Sequence, residues 1–431
     1  MKRSLFPSLP QGWRSVPAKH AAALNPEVLP ESTPEDTELS YVDIAALEGG
    51  DAAVSLSPKA LTFRTAPSRA RRVLRQGDTI LSTVRTYLKA VANFPEASEG
   101  LVASTGFAVL RPNGQLNPRF AYWAALSEPF IENVVAHSEG VSYPAINPSV
   151  LGSLHMPVPP LIEQQRIANF LDEQTARIDA LIAEKERLLG ELLEYRKSVI
   201  SQATTRGLNK GARTQKTEQE WLGEIPAHWK LTKLKYLGEA IIGLTYSPED
   251  VNDTGAGVLV LRSSNVQAGR IVLTDNVYVS CEIPEKIRVR AGDILICSRN
   301  GSRALIGKNA LIGTEHAGMS FGAFMTVFRS PENYYVRWLL NSPLFDFHSA
   351  SFLTSTINQL TTGNLNSLLV PLPPKEERQE IDAYLSARSE EFDALSQHIR
   401  AHVDHLREYR SSLISAAVTG QLDLSTFKAT A

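Results

Sequence analysis

One stretch of this chain occurs twice. Pro157-Val158-Pro159-Pro160 reappears as Pro371-Leu372-Pro373-Pro374, 214 residues further on (371 − 157). The same offset carries Ile167 to Ile381, Leu171 to Leu385, Asp179 to Asp393 and Leu181 to Leu395. It also carries Glu194-Tyr195-Arg196 to Glu408-Tyr409-Arg410, Ser201 to Ser415 and Thr205 to Thr419, without a gap. Length alone suggests roughly three domains of about 150 residues, but a long-period repeat takes precedence over that division. Upstream the match is looser. Leu9-Pro10-Gln11-Gly12-Trp13 resembles Ile225-Pro226-Ala227-His228-Trp229, and Gln76-Gly77-Asp78-Thr79-Ile80-Leu81 resembles Ala291-Gly292-Asp293-Ile294-Leu295-Ile296. Each half therefore holds a variable globular part and then a well-matched helical part. The helices share one job; the globular parts have two different ones.

The helical part after Glu163 has no proline to about Gln202. Apolar residues in alternating three- and four-residue steps place Leu171, Ile178, Leu181, Leu188 and Leu192 on one seam, and Leu385, Phe392, Leu395, Ile399 and Leu406 on the other. That spacing is the heptad signal of a coiled coil. Ile167, Phe170, Ile182, Leu189, Leu193 and Ile200 widen the stripe, so each helix is expected to bury more than one face. Pro159-Pro160 and Pro373-Pro374 mark the starts, because proline is tolerated in a first turn. Some 40 residues span roughly 60 Å. A helix that long needs an equally long partner, and the second copy is the obvious one. The pair is either a structural rod or a spacer that also docks another protein.

The globular parts carry short strand-like runs broken by Gly, Pro, Asn and Asp, such as Thr79–Val84, Gly106–Leu110, Val258–Leu261 and Asp293–Ile296. They read as α+β with a mixed or antiparallel sheet. The expected boundaries are a globular domain at 1–158, a helical region at 159–206, a polar linker at 207–224, a second globular domain at 225–372 and a second helical region with tail at 373–431.

Hydrophobic residues at 43% and charged residues at 21% exclude wholesale disorder. Cys281 and Cys297 form no CxxC pair, which excludes a disulfide scaffold and a cysteine zinc site. No apolar run approaches the roughly 18 residues of a membrane span, and Lys2-Arg3 precede only Leu5-Phe6 before Pro7, so no leader is expected and a cytoplasmic location is the default.

Net charge is −2, yet the charge is segregated. From Arg64 to Lys89 the cations are Arg64, Arg69, Arg71, Arg72, Arg75, Arg85 and Lys89, against Asp78 alone. In the second half Arg262, Arg270, Lys286, Arg288, Arg290, Arg299, Arg303 and Lys308 outnumber Asp275, Glu282, Glu285 and Asp293. The first helix leans acidic. A polyanion would be drawn to the globular parts and repelled by the helices. No catalytic constellation stands out. Gly301 to Gly307-Lys308 has five residues between the glycines instead of four, and Asn309 where a phosphate loop needs Ser or Thr. His398, His402 and His405 share a helical face without a second ligand cluster, so no metal site is expected.

Together these features resemble the specificity subunit of type I restriction–modification systems. The Pro-Pro start with Glu163-Gln164-Gln165-Arg166-Ile167-Ala168 and Glu377-Arg378-Gln379-Glu380-Ile381 carries the resemblance, with the Glu-Tyr-Arg repeat and the opening Ile225-Pro226-x-x-Trp229. So does Gly243–Asp250 followed by Leu261-Arg262-Ser263-Ser264-Asn265. The resemblance implies two α+β target-recognition domains separated by two long antiparallel helices, related by a pseudo-twofold internal repeat. It implies a subunit without enzymatic activity that reads double-stranded DNA. Two methyltransferase subunits using S-adenosylmethionine would methylate adenine N6, and restriction subunits using ATP and Mg2+ would cleave. Each recognition domain would read one half of an asymmetric bipartite target, the helices setting the spacer. Expected DNA-contacting residues are Arg64, Arg69, Arg71, Arg72, Arg85, Tyr87, Lys89 and Tyr143 in the first domain. In the second they are Arg262, Asn265, Arg299, Asn300, Arg303, Lys308 and Gln359. The alternative is a coiled-coil adaptor that tethers two protein partners without reading DNA.

Overall fold

A computed structural model describes residues 9–47, 58–96, 99–219, 221–252, 254–352 and 358–427. The residues behind the leader reading, Lys2 to Pro7, lie outside that set. The chain divides into two compact units. The first comprises residues 1–187 and 399–431, the second residues 188–398.

The strands of the first unit, in chain order, are β1 (Arg14–Pro17), β2 (Ala22–Leu24), β3 (Glu38–Val42), β4 (Lys59–Thr62), β5 (Ala70–Val73), β6 (Thr79–Ser82), β7 (Val91–Asn93), β8 (Leu101–Ser104), β9 (Phe107–Pro112) and β10 (His155–Val158). One antiparallel sheet has the order β2-β9-β6-β7. A second, β4-β3-β8-β5, is mixed because β3 and β8 run parallel. β1 pairs with β10. Every residue of β6 is buried, as a central strand covered on both faces requires. Asn117 caps the helix Pro118–Leu126 by accepting from the Phe120 amide, with Pro118 supplying the first helical position. That helix buries Phe120 and Trp123 in a core shared with Leu151, Met156 and the long helices.

The second unit rebuilds the plan. Its strands are β11 (Thr214–Lys216), β12 (Glu224–Pro226), β13 (Lys230–Lys233), β14 (Glu239–Ile242), β15 (Val258–Leu261), β16 (Val266–Gln267), β17 (Arg270–Ile271), β18 (Tyr278–Val279), β19 (Ile294–Cys297), β20 (Asn309–Leu311), β21 (Ser320–Phe321), β22 (Met325–Arg329) and β23 (Leu369–Leu372). The sheet β14-β22-β19-β20 answers β2-β9-β6-β7, and β18-β15-β21 keeps the parallel pair of its counterpart. β13–β23 answers β1–β10. The expected linker is not without structure: β11 within it, exposed along its length, pairs with β12. Tryptophans at equivalent places tie each opening segment to a helix start. Trp13 Nε1 donates to Glu163 at 2.6 Å, and Trp229 Nε1 to Glu377 at 2.9 Å.

The long helices are Leu161–Arg206 and Lys375–Val418. In the first unit Asp179 meets Arg410 (Nε to Oδ1, 2.8 Å) and Glu186 meets Arg407 (2.9 Å), so partner numbers fall as residue numbers rise and the segments are antiparallel. In the second unit Arg196 meets Asp393 at 2.7 Å, and the Tyr195 ring lies edge-on to Phe392. Arg196 and Arg410 are repeat equivalents, as are Asp179 and Asp393. One contact is thus made twice, once in each unit.

The heptad assignment needs correcting. Leu171, Ile178, Leu385, Phe392 and Ile399 are buried, and Leu192 and Leu406 half-buried, but Leu181 (46% exposed), Leu188 and Leu395 face outward. The buried residues instead recur at eleven: Ile167, Ile178 and Ile200, with half-buried Leu189 between, and Ile381, Phe392, Val403 and Ile414. Eleven residues make three turns at 3.67 per turn, close to an undistorted helix, whereas a seven-residue seam drifts about 20° per heptad. We expect Ile178→Ala to lower stability by about 2–4 kcal/mol. Leu181→Ala should stay within about 0.5 kcal/mol of the parent. Urea unfolding of the two variants checks this; equal losses would restore the heptad.

Candidate nucleic-acid interface

Each central strand starts from the same anchor and ends in the same clamp. Gly77 and Gly292 adopt positive φ (84° and 86°), where glycine is favoured, and turn the chain into Asp78 and Asp293. Asp78 is fully buried and accepts from the Arg75 amide (2.8 Å) and from Arg111 Nε and Nη2 (2.9 and 2.8 Å). Asp293 repeats this with the Arg290 amide and Arg329. These anchors fix β6 and β19, whose far ends carry the loops of interest.

Beyond β6, the Thr83 carbonyl accepts from the Ile146 amide (2.9 Å) and Val84 bridges to Ala145. Beyond β19, the Ser298 carbonyl accepts from the Leu360 amide (2.8 Å) and Arg299 bridges to Gln359. Two loops distant in sequence are joined in the same way in each unit. In the first, this brings Arg85, Tyr87, Lys89 and Tyr143 together. The Arg85 guanidinium lies 4.9 Å over the Tyr143 ring, and the Thr86 and Ser138 hydroxyls bond at 2.8 Å. Tyr87, Lys89 and Tyr143 are exposed. In the second unit Arg299, Asn300 and Gln359 come together. Arg299 stacks 5.3 Å over Phe324, Asn300 accepts from the Ser302 amide (2.9 Å), and Arg303 nearby in sequence is exposed.

The remaining expected residues divide. Arg64 and Arg69 are exposed, Arg69 donating to the Tyr41 hydroxyl at 3.2 Å. Arg71 occupies a register shift in β5 and stacks 4.9 Å over Phe63. These belong to the β4-β3-β8-β5 side, not to the clamped loops. Arg72 is half-buried with its Nε enclosed, and burial lowers its pKa. Asn265 must be corrected. It is 0% exposed, its Oδ1 accepts from the Arg262 amide (2.9 Å) and its Nδ2 donates to the Val272 carbonyl (3.1 Å). It holds a loop and cannot reach a base edge. Lys308 gives its ammonium to the Ser263 carbonyl (3.1 Å), and Arg262 pairs with Asp275 (2.8 Å), so both brace the same loop. Sequence reasoning missed Phe324, Leu88 and Val141. Phe324 had no local signal, since it comes beside Arg299 only through its carbonyl, which accepts from the Ser298 and Arg299 amides (3.0 Å each). Val141 follows Gly140, a turn signal that could have drawn attention to it.

Among the described residues no three His, Cys, Asp or Glu side chains gather as metal ligands, and no helix is long and apolar enough to cross a membrane.

Comparison with known proteins gives a consistent match. Residues 67–189 and 226–405 match the family model described as the type I restriction modification DNA specificity domain. The specificity subunit of the type I restriction enzyme EcoKI from Escherichia coli K12 is 25% identical over 327 residues, covering 73% of this chain and 68% of the relative. The putative type I restriction enzyme MjaX specificity subunit of Methanocaldococcus jannaschii is 25% identical over 362 residues, covering 81% and 79%. A solved chain from a type I R-M system superimposes with a TM-score of 0.77 at 24% identity, covering 96% of this chain and all of that one. The HsdS subunit from Thermoanaerobacter tengcongensis gives 0.52 at 25%, covering 96% and 99%.

Proposed function

The chain belongs to the type I restriction–modification DNA specificity family, and on that premise we propose that each unit reads a different half of a bipartite DNA target. As a specificity subunit it is a non-catalytic, sequence-specific DNA-binding component, and the DNA chemistry belongs to other subunits of the complex. Membership favours DNA reading over the adaptor alternative. The observation that carries the division of labour is the doubled clamp: one backbone arrangement displays Arg85, Tyr87, Lys89 and Tyr143 in one unit, and Arg299, Asn300 and Gln359 in the other. A common scaffold bearing unlike side chains suits two unlike half-sites.

In this reading the recognition domains span 1–158 and 225–372, and the helical regions 159–206 and 373–431. Exposed arginines such as Arg64 and Arg69 contact phosphates, which positions the protein, while the clamped loops address base edges. The helices set the spacer and dock two methyltransferase subunits. Leu181 and Tyr409 in the first unit, and Leu188, Tyr195 and Leu395 in the second, are exposed apolar side chains that such docking would cover. S-adenosylmethionine sits in the methyltransferase, which must flip adenine from the stack. ATP and Mg2+ serve the restriction subunits.

Arg299→Ala tests the division. Coexpressed with its methyltransferase partner, the variant should bind about tenfold more weakly, the scale of one lost base contact. Relaxed sequence preference in methylation maps should be confined to one half-site. Loss of preference in both halves would overturn the two-reader scheme.

A further inference from the structure

The loops of the first unit do more than present cations. Val141 is 103% exposed, and Tyr87, Leu88, Tyr143 and Val84 are exposed beside it in the clamped pair of loops. Large apolar side chains displayed this openly, on a part of the chain already flanked by Arg85 and Lys89, need an occupant.

The patch is rigidly held. Glu139 and Ala145 exchange backbone hydrogen bonds (2.8 and 2.9 Å), forming a hairpin with Val141 and Tyr143 in its tip. Gly140 at φ 109° permits the turn; a Cβ there would meet the Tyr143 carbonyl oxygen at 3.1 Å. The hairpin is joined to the Thr83–Lys89 loop at Val84–Ala145, at Thr83–Ile146 and through Thr86–Ser138. Arg85 and Lys89 both adopt left-handed backbone (φ 50° and 52°), two of four such non-glycine residues among those described. They bracket the single turn Thr86–Leu88. Strain held by a surrounding framework is a mark of functional display.

We infer that this tip reads thymine by apolar contact with its C5-methyl group in the major groove, Val141 and Leu88 being specificity-determining residues. The inference rests on the DNA-reading function proposed above and adds the chemistry of one half-site. The thymine methyl is the one apolar feature a base pair offers in that groove. Arg85 and Lys89, beside the base edges their loop addresses, add the positive field that draws the patch into the groove. The two cations Arg85 and Lys89, against the one acid Glu139 in the paired loops, and the DNA specificity family to which the chain belongs favour the duplex over a protein surface as the occupant.

The test uses the full chain with its methyltransferase partner and duplexes carrying the mapped target. Replacing thymine by deoxyuridine removes only the methyl group. In the half-site that Arg85→Ala weakens, the replacement should reduce affinity about fourfold per contacted methyl. In the other half-site, binding should change less. Val141→Ser and Leu88→Ser should bind thymine and uracil duplexes equally while keeping the dependence on the other half-site, which shows that the variants fold. Uracil insensitivity of the parent, a half-site without any A·T pair, or variants that keep the thymine preference would each overturn the inference. So would variants that bind DNA normally but shed the methyltransferase, since the patch would then be a protein interface. Failure of the parent to select any sequence would instead remove the proposed function itself.

Discussion

Asp78→Ala is expected to destabilise the first unit by about 2–3 kcal/mol, the cost of deleting the buried member of an ion pair and leaving a buried amide without its acceptor. The carboxylate is wholly enclosed, and its hydrogen bond to Arg111 is the main reason the guanidinium is held above the ordinary arginine range. Alanine leaves that guanidinium beside a hole with Glu27 as its remaining acid (3.2 Å) and strips the Arg75 amide of its acceptor. An unpaired buried polar group costs more than the intact pair contributes. Function should suffer in a directed way. β6 starts at Thr79 and leads straight to Thr83 and Arg85, so loosening its start displaces the clamped loops at its end. Methylation maps should lose preference in the half-site read by the first unit, and Asp293→Ala should produce the mirror result. Replacing Asp78 and Arg111 together by Leu and Met should recover much of the stability, because two apolar side chains leave no orphaned charge. An unfolding midpoint unchanged by Asp78→Ala would remove the anchor from this account.

What could be read from the residues was what the repeat preserves. Gly77-Asp78 against Gly292-Asp293, Trp13 against Trp229 and Asp179 against Asp393 were visible as equivalent letters. Their partners were not. Arg111 and Arg329 lie 33 and 36 residues from the aspartates they hold, and Glu163 lies 150 from Trp13. Such pairings depend on strand order, which short-range patterns do not encode. The helices were legible as long and paired, their antiparallel packing was implied by the resemblance, and their period was misjudged. Leucines at Leu181, Leu188 and Leu395 satisfy a heptad by type, but helix geometry turns them outward, and the eleven-residue set through Ile178, Leu189 and Ile200 was already present. Asn265 failed for a related reason. An asparagine between basic residues in a loop looks like a base reader, but here its amide completes a buried turn. The arginines and tyrosines proposed as readers do lie together in the clamped loops, because exposed cations and aromatics are a pattern that composition records.

The eleven-residue period makes the spacer prediction sharper. Suppose eleven residues are inserted after Glu191 alone. Asp179 still faces Arg410 in the first unit, but the first helix then has eleven more residues between Asp179 and Arg196 than the second has between Asp393 and Arg410. Both contacts cannot then form at once, and binding to the whole target should be lost. A matched insertion after His405, the repeat equivalent of Glu191, restores both contacts, since eleven residues preserve the buried face to within about 20°. The helices grow by about 16 Å, which corresponds to about five base pairs at 3.4 Å each. That is half a turn of DNA, so the second half-site would move to the far side of the duplex while its reader has turned only slightly. The matched single insertion should therefore fold but bind poorly. Two such inserts in each helix add about 33 Å, close to one DNA turn of 34–36 Å. Binding should return on a target whose half-sites are unchanged and whose spacer is about ten base pairs longer. Selection from duplexes with randomised spacers measures this directly. Recovery on the original spacer would mean that the helices are not the ruler, whereas altered half-site letters would mean that reading and measuring are not separate functions of this chain.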